Sequence, residues 1–138
     1  MCNERKPIPQ SWNATDKINA MVRHCEDGTL NFKVQSKHYS IPLDDIIYLE
    51  KKLRLISVHT KKGCISFYGR FIDVVPLLDE RFTHCHKSYV LNMDEIICLS
   101  RAVVVMSDDV EIRFGKRSYD RLMKNYTKWE EKGLTTVL

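Results

Sequence analysis

Between Arg81 and Ile96 the chain reads Arg-Phe-Thr-His-Cys-His-Lys-Ser-Tyr-Val-Leu-Asn-Met-Asp-Glu-Ile. His84, Cys85, His86, Lys87 and Ser88 bring metal ligands, a thiol beside imidazoles, and a cluster of donors, so three chemistries compete: a metal site, a Cys/His catalytic site, and a surface that grips a polyanion. Phe82, Tyr89, Val90, Leu91, Ile96 and Ile97 around them are strand formers. Side chains alternate faces on a strand, which turns the two histidines one way and Cys85 the other, so one centre collects all three only through a bulge. No second His or Cys pair stands at zinc spacing. No oriented base or oxyanion loop can be named for Cys85, which reads as a small inward-facing core residue. Lys87 and His86 alone read as a solvated strand edge, and the charge pattern around them favours a polyanion.

That pattern is uneven. The formal net charge is +4 with a pI near 8.8, only mildly basic. From Lys51 to Arg70 there are six Lys/Arg (Lys51, Lys52, Arg54, Lys61, Lys62, Arg70) plus His59, and no acid. Arg113, Lys116, Arg117, Arg121, Lys124, Lys128 and Lys132 follow, against Asp120, Glu130 and Glu131. The acids gather at Asp44-Asp45, Asp79-Glu80, Asp94-Glu95 and Asp108-Asp109. An antiparallel sheet with hairpin loops can bring the basic segments and the His86–Ser88 cluster to one rim. Phosphate binding needs such a strip of Lys and Arg, and base reading needs a few bidentate donors on protruding loops.

The 138 residues suffice for one domain with a proper core. Five cysteines at irregular spacing, with no Cys-x-x-Cys, argue against a disulfide framework or zinc ribbon. No apolar h-region or membrane-length run is present, so the expectation is a reduced, cytoplasmic, soluble protein without membrane contact. Residues 1–28 read as a tether and a short amphipathic helix, with Thr15 as N-cap and Ile18, Met21, Val22 and Cys25 as its stripe. Strands are expected at 30–34, 38–41, 46–50, 53–59, 64–68, 82–86, 88–91, 95–99, 102–106 and 110–114, with Lys61-Lys62-Gly63 and Ser107-Asp108-Asp109 as turns. A short helix at about 70–78 is limited by Pro76, and Ser118 caps a final helix with Tyr119, Leu122, Met123 and Tyr126 as its stripe. Strands that do not alternate with crossover helices exclude a doubly wound enzyme, and no Gly-rich loop offers a nucleotide site.

Taken in order, Ile41-Pro-Leu-Asp-Asp-Ile-Ile-Tyr-Leu-Glu50, Phe67-Tyr-Gly-Arg70, Phe82–Ile96 and Gly115-Lys-Arg-Ser-Tyr119 resemble the LytTR DNA-binding domain. His86, Ser88, Tyr89 and Asn92 form the specific His-x-Ser-Tyr-x-x-Asn core, and the match covers about residues 29–125, leaving 126–138 as the end of the last helix and a tail. Within the family the chain looks closest to virulence and quorum-sensing response regulators of the AgrA and VirR type. The resemblance implies a mainly β fold, an elongated stack of three small antiparallel sheets with short helices. It implies binding of double-stranded DNA through inter-strand loops that enter successive major grooves, with no recognition helix.

Carried over by position, the first reading loop is Lys51 to Arg54, with Lys52 or Arg54 as base reader. The second is His86-Lys87-Ser88, where Lys87 replaces an Asn of AgrA-like members and favours guanine or phosphate. The third is Arg117 with Lys116 and Ser118, and Arg70 matches a backbone-contact position. The expectation is a sequence-specific bacterial transcription regulator at direct repeats near promoters, with a second copy on tandem repeats, no catalysis, no cofactor, no metal and no small-molecule substrate. Family members carry a phosphoreceiver domain ahead of the match, so the chain reads as an output domain or a standalone regulator. The alternative is a receiver-less interaction module that sequesters another regulator through its N-terminal helix.

Overall fold

The computed structural model describes residues 28–34 and 36–137. The expected helix at 15–25 lies outside the described residues. Ten strands follow in order: β1 (Thr29–Val34), β2 (Lys37–Pro42), β3 (Ile46–Lys52), β4 (Leu55–Thr60), β5 (Gly63–Tyr68), β6 (Phe82–His86), β7 (Tyr89–Asn92), β8 (Ile96–Ser100), β9 (Val103–Met106) and β10 (Glu111–Arg113). The helices are α1 (Phe71–Val74) and α2 (Lys116–Val137). All pairings are antiparallel and make three sheets: β1-β2, β5-β4-β3-β7-β6 and β10-β9-β8. The stack of three antiparallel sheets expected from the sequence is what forms, although α2 is 22 residues long rather than short.

Strand alternation builds two cores, one on each face of the five-stranded sheet. Leu49, Ile56, Val58, Ile65, Phe67 and Val90 face the β1-β2 hairpin and α1, packing on Leu30, Phe32 and Phe71. Ile47, Tyr48, Cys85 and Leu91 face the third sheet and α2, packing on Val104, Met106, Phe114 and Leu122. A register shift between Ile46 and Tyr48 breaks the simple alternation, so that Ile46 joins the first core while Ile47 and Tyr48 both join the second. Helix α1 is a single turn that tightens into a 3-10 turn at Val75–Leu77, where Pro76 removes a donor.

Asn92 is fully buried and locks the centre. Its Nδ2 donates to the Ile46 carbonyl at 2.8 Å, and its Oδ1 accepts from the Asp94 amide at 2.9 Å. Asn92→Leu leaves both backbone groups without this partner, and the expected cost is about 2–3 kcal/mol, read as a lowered urea midpoint at unchanged slope. A midpoint equal to that of the wild type would show that neither bond contributes. Among the described residues no helix is long and apolar enough to cross a membrane.

Candidate nucleic-acid interface

Hairpins place successive turns at alternate ends of a sheet, and this sorts the charges. At one end lie the β3–β4 turn, the β6–β7 turn and the exit from β5. The Lys51 amide donates to the Ser88 carbonyl at 2.8 Å, tying the first two together. The Gly69 amide donates to the Arg54 carbonyl at 3.1 Å, which brings Arg70 alongside. The rings of His86 and Tyr89 pack on Phe114 at 5.6 and 5.7 Å, so Gly115, Lys116 and Arg117 follow directly beside the β6–β7 turn. Lys51, Lys52, Arg54, Arg70, His86, Lys87, Ser88, Lys116, Arg117 and Ser118, separated in sequence, therefore share one end of the molecule.

The opposite end is acidic. The turns that hold Asp44-Asp45, Asp94-Glu95 and Asp108-Asp109 lie there, as does the Asp79-Glu80 entry into β6. Arg81 bonds to both Asp44 and Asp79, and holds the Asp44 carboxyl below its usual range by hydrogen bond and charge. Lys61 pairs with Glu95 at 3.1 Å and Lys62 with Asp45 at 3.8 Å. The expectation that both basic segments reach one rim is thus corrected: Lys61 and Lys62 sit in the β4–β5 turn, one strand length away from Lys52 and Arg54. Lys132, at the far end of α2, bonds Glu80 on that same acidic side.

At the cationic end the charges differ in their partners. Lys52 lies 4.0 Å from Glu50, Arg70 pairs with Asp73 at 3.2 Å, and Lys116 with Asp120 at 3.1 Å. These are exposed pairs, worth at most about 1 kcal/mol each and easily exchanged for a phosphate. The Lys51 ammonium stands 5.5 Å from the Phe71 ring centroid. Among the described residues Arg54, Lys87 and Arg117 have no carboxylate within ion-pair distance.

The His-Cys-His run resolves differently from simple alternation. The β6–β7 register shifts between Thr83 and His86, and this bulge parts the two histidines. His84 meets Phe71 edge-on at 5.3 Å on the first core's side, whereas His86 packs on Tyr89 and Phe114 on the other. Burial, then Lys51 and Arg121 nearby, lower the His84 pKa, so it adds no charge at neutral pH. His86 Nδ1 accepts from the Ser88 amide at 3.0 Å, which leaves Nε2–H as its free donor. Cys85 is fully buried and its thiol is pushed up to about 12 by burial, the reverse of an activated nucleophile. Among the described residues no group of three or more His, Cys, Asp or Glu could hold a metal.

The model of the LytTr DNA-binding domain family matches residues 36–127, two thirds of the chain. The chain belongs to the LytTR family. Accessory gene regulator protein A from two strains of Staphylococcus epidermidis is 33% identical over 86 residues, which are 60% of this chain and 35% of each relative. The chain thus spans about a third of the length of these curated relatives. A solved LytTr DNA-binding domain from Bacillus cereus superposes with a TM-score of 0.60 at 17% identity, over 74% of this chain and 98% of that one, a likeness of fold. A LytTR domain is a DNA-binding unit, the class that the charge pattern favoured over an enzyme.

Against this LytTR frame three details of the end differ from the sequence expectation. The expected strand start at Leu53 is a turn: Lys52 faces Leu55, and Leu53 stands 95% exposed with φ +59 between Lys52 and Arg54. Ser118 is not the cap, because α2 begins at Lys116 and the Tyr119 amide already bonds the Gly115 carbonyl at 3.0 Å. Lys116 and Arg117 therefore occupy a first helical turn that holds no acid, where unpaired amides and the helix dipole favour an anion. Arg101, exposed in the β8–β9 turn, also belongs at this end, since the neighbouring Ala102 carbonyl accepts the Phe114 amide at 2.9 Å. Arg101 and Ala102 carry φ of +51 and +70, and the tight Ser-Arg-Ala turn gave no Gly or Asn to mark it.

Proposed function

We propose that this LytTR domain is the DNA-reading part of a bacterial transcription regulator and binds double-stranded DNA sequence-specifically. The β3–β4 turn, the β6–β7 turn and the start of α2 enter successive major grooves. Arg54, Lys87 and Arg117 read base edges, Lys87 favouring guanine. Lys51, Lys52, Arg70 and Lys116 contact phosphates, and His86 and Ser88 add neutral donors. The observation that carries this reading is the gathering of these cations at one end, opposite the acidic turns. A second copy binds the next of two direct repeats near a promoter. Such a domain works in the cytoplasm, and a role in quorum sensing or virulence is the extension suggested by its AgrA-like resemblance.

Selection of bound sequences from a random duplex pool, followed by titration, tests the proposal. With about four phosphates neutralised, the log-log salt slope is expected to be about −3.6, a loss of about 150-fold in affinity between about 50 and 200 mM salt. A flat salt dependence would overturn the DNA reading. No shift of any duplex at low salt would leave the receiver-less interaction module. That alternative draws on residues 15–25, and no described feature favours it.

A further inference from the structure

A carboxylate stands in the middle of the cationic end, where a polyanion must come. Glu50 Oε2 accepts from Tyr89 Oη at 3.3 Å and lies 4.0 Å from Lys52 Nζ, while Oε1 lies 3.3 Å from His59 Nε2. The His59 ring in turn stacks on Tyr48 at 4.3 Å. One side chain on β3 thereby touches β4 and β7. Its neighbours are placed to matter: Lys52 leads into Leu53-Arg54, Tyr89 follows Lys87-Ser88, and Glu50 faces Tyr89 in register. The Glu50 side chain is only 20% exposed, whereas that of Lys52 is 80% exposed. For attraction to DNA alone a neutral side chain here serves better, because a negative charge repels every phosphate. Because Lys52 and Tyr89, which it contacts, adjoin the two candidate reading turns, Glu50 is placed to act on discrimination as well as on attraction.

We propose that Glu50 is the positioning residue of this interface: it fixes the β3–β4 turn against the β6–β7 turn and holds Lys52 back from phosphates except on a duplex that both turns can dock. It thereby sets the ratio of selected-site to random-site binding. The inference rests on the DNA reading above. Tyr89 serves as donor to Glu50 at neutral pH, since burial and the Glu50 charge both raise its phenol pKa. The Glu50–Lys52 pair is long and exposed on its Lys52 side, so a phosphate seated firmly beside Lys52 displaces it and a passing one does not.

Glu50→Gln keeps the shape and an oxygen acceptor for Tyr89 while removing the charge. Anisotropy titrations of the full chain against its selected duplex and a random duplex, across a salt series, give the readout. On random duplex the variant is expected to bind about three- to ten-fold more tightly, with a slope steeper by about 0.9, one further phosphate neutralised. On the selected duplex it gains only the smaller, generic effect of one lost negative charge, with the slope unchanged. Equal tightening on both duplexes overturns the proposal, being the generic effect of one lost negative charge, and so does unchanged binding to random duplex. Lys52→Gln gives a second reading that does not depend on how the Glu50 variant folds. Its slope is expected to fall by about 0.9 on the selected duplex and to stay unchanged on random duplex. An equal fall on both shows that Glu50 does not restrain Lys52. If the wild-type protein binds no duplex at low salt, the DNA reading itself fails, and that is seen without any variant.

Discussion

Replacing Lys87 and Arg117 together by alanine is expected to weaken binding to the selected duplex by about 2–6 kcal/mol, from about 1–3 kcal/mol for each lost base contact. Both residues are exposed, and among the described residues neither has a carboxylate within ion-pair distance, so truncation leaves no buried charge behind and the fold should be unaffected. They belong to separate elements, the β6–β7 turn and the first turn of α2, linked through the His86, Tyr89 and Phe114 rings. Each single variant should therefore relax preference at its own base pair, and the double variant should lose about the sum. Competition titrations with duplexes mutated one position at a time read this directly. A loss of equal size on every duplex, with a shallower salt slope, would instead make both residues phosphate contacts.

The fold was largely legible because each strand carries its own period or composition. Ile56 and Val58 alternate with half-buried Leu55, Ser57 and His59 along β4, the period of a strand, whereas Ile46 to Leu49 of β3 are all buried and show strand type only by composition. What the pattern could not carry was which end each turn reaches. Lys51, Lys52, Arg54, Lys61 and Lys62 form one basic run in sequence, yet β4 carries Lys61 and Lys62 to the acidic end, where Glu95 and Asp45 neutralise them. The bulge at Thr83–His86 was equally hidden, because nothing in Thr-His-Cys-His marks an irregular register. Its consequence is chemical, since His84 turns to Phe71 and only His86 reaches the interface. Leu53 looked like the first residue of a strand by hydrophobicity, and its left-handed backbone is imposed by the closure of the β3–β4 hairpin around it.

Among the described residues Lys51 and Arg101 stand with Arg54, Lys87 and Arg117 as cations of this end without a carboxylate, whereas Lys52, Arg70 and Lys116 have one. Lys116 and Arg70 are held by local acids at i+4 and i+3, which orients their side chains and exchanges cheaply for phosphate. Positioning contacts tolerate such competition because phosphates recur along every duplex. A base reader gains from having none, since any protein carboxylate must be stripped before the bidentate contact forms.

Leu122→Ala is expected to cost about 2–5 kcal/mol of stability, the range for emptying a fully buried leucine site. It should also remove sequence preference from a region that Leu122 never touches. Of the stripe expected on α2, Tyr119 and Leu122 pack on the core and Met123 does not, being 36% exposed, while Asn125 donates to Thr83 at 2.8 Å and Trp129 donates to Asp94 at 2.7 Å. Leu122 is the fully buried side chain of this helix among the described residues, seated in the core that also holds Phe114 and Cys85. Besides Tyr119, which packs on the same core, the helix's other named contacts to the sheet are polar, and a helix without its main apolar anchor is marginal in water. Arg117 lies five residues before Leu122, in the first turn of the same helix, so loosening the anchor lets the backbone that carries its guanidinium move. Circular dichroism during urea unfolding should show helix signal lost ahead of the sheet. Titration below that transition should show the Arg117 base pair no longer discriminated while the Lys87 pair still is. Discrimination retained at both pairs would mean that Phe114 alone, through the His86 and Tyr89 rings, sets the position of Arg117.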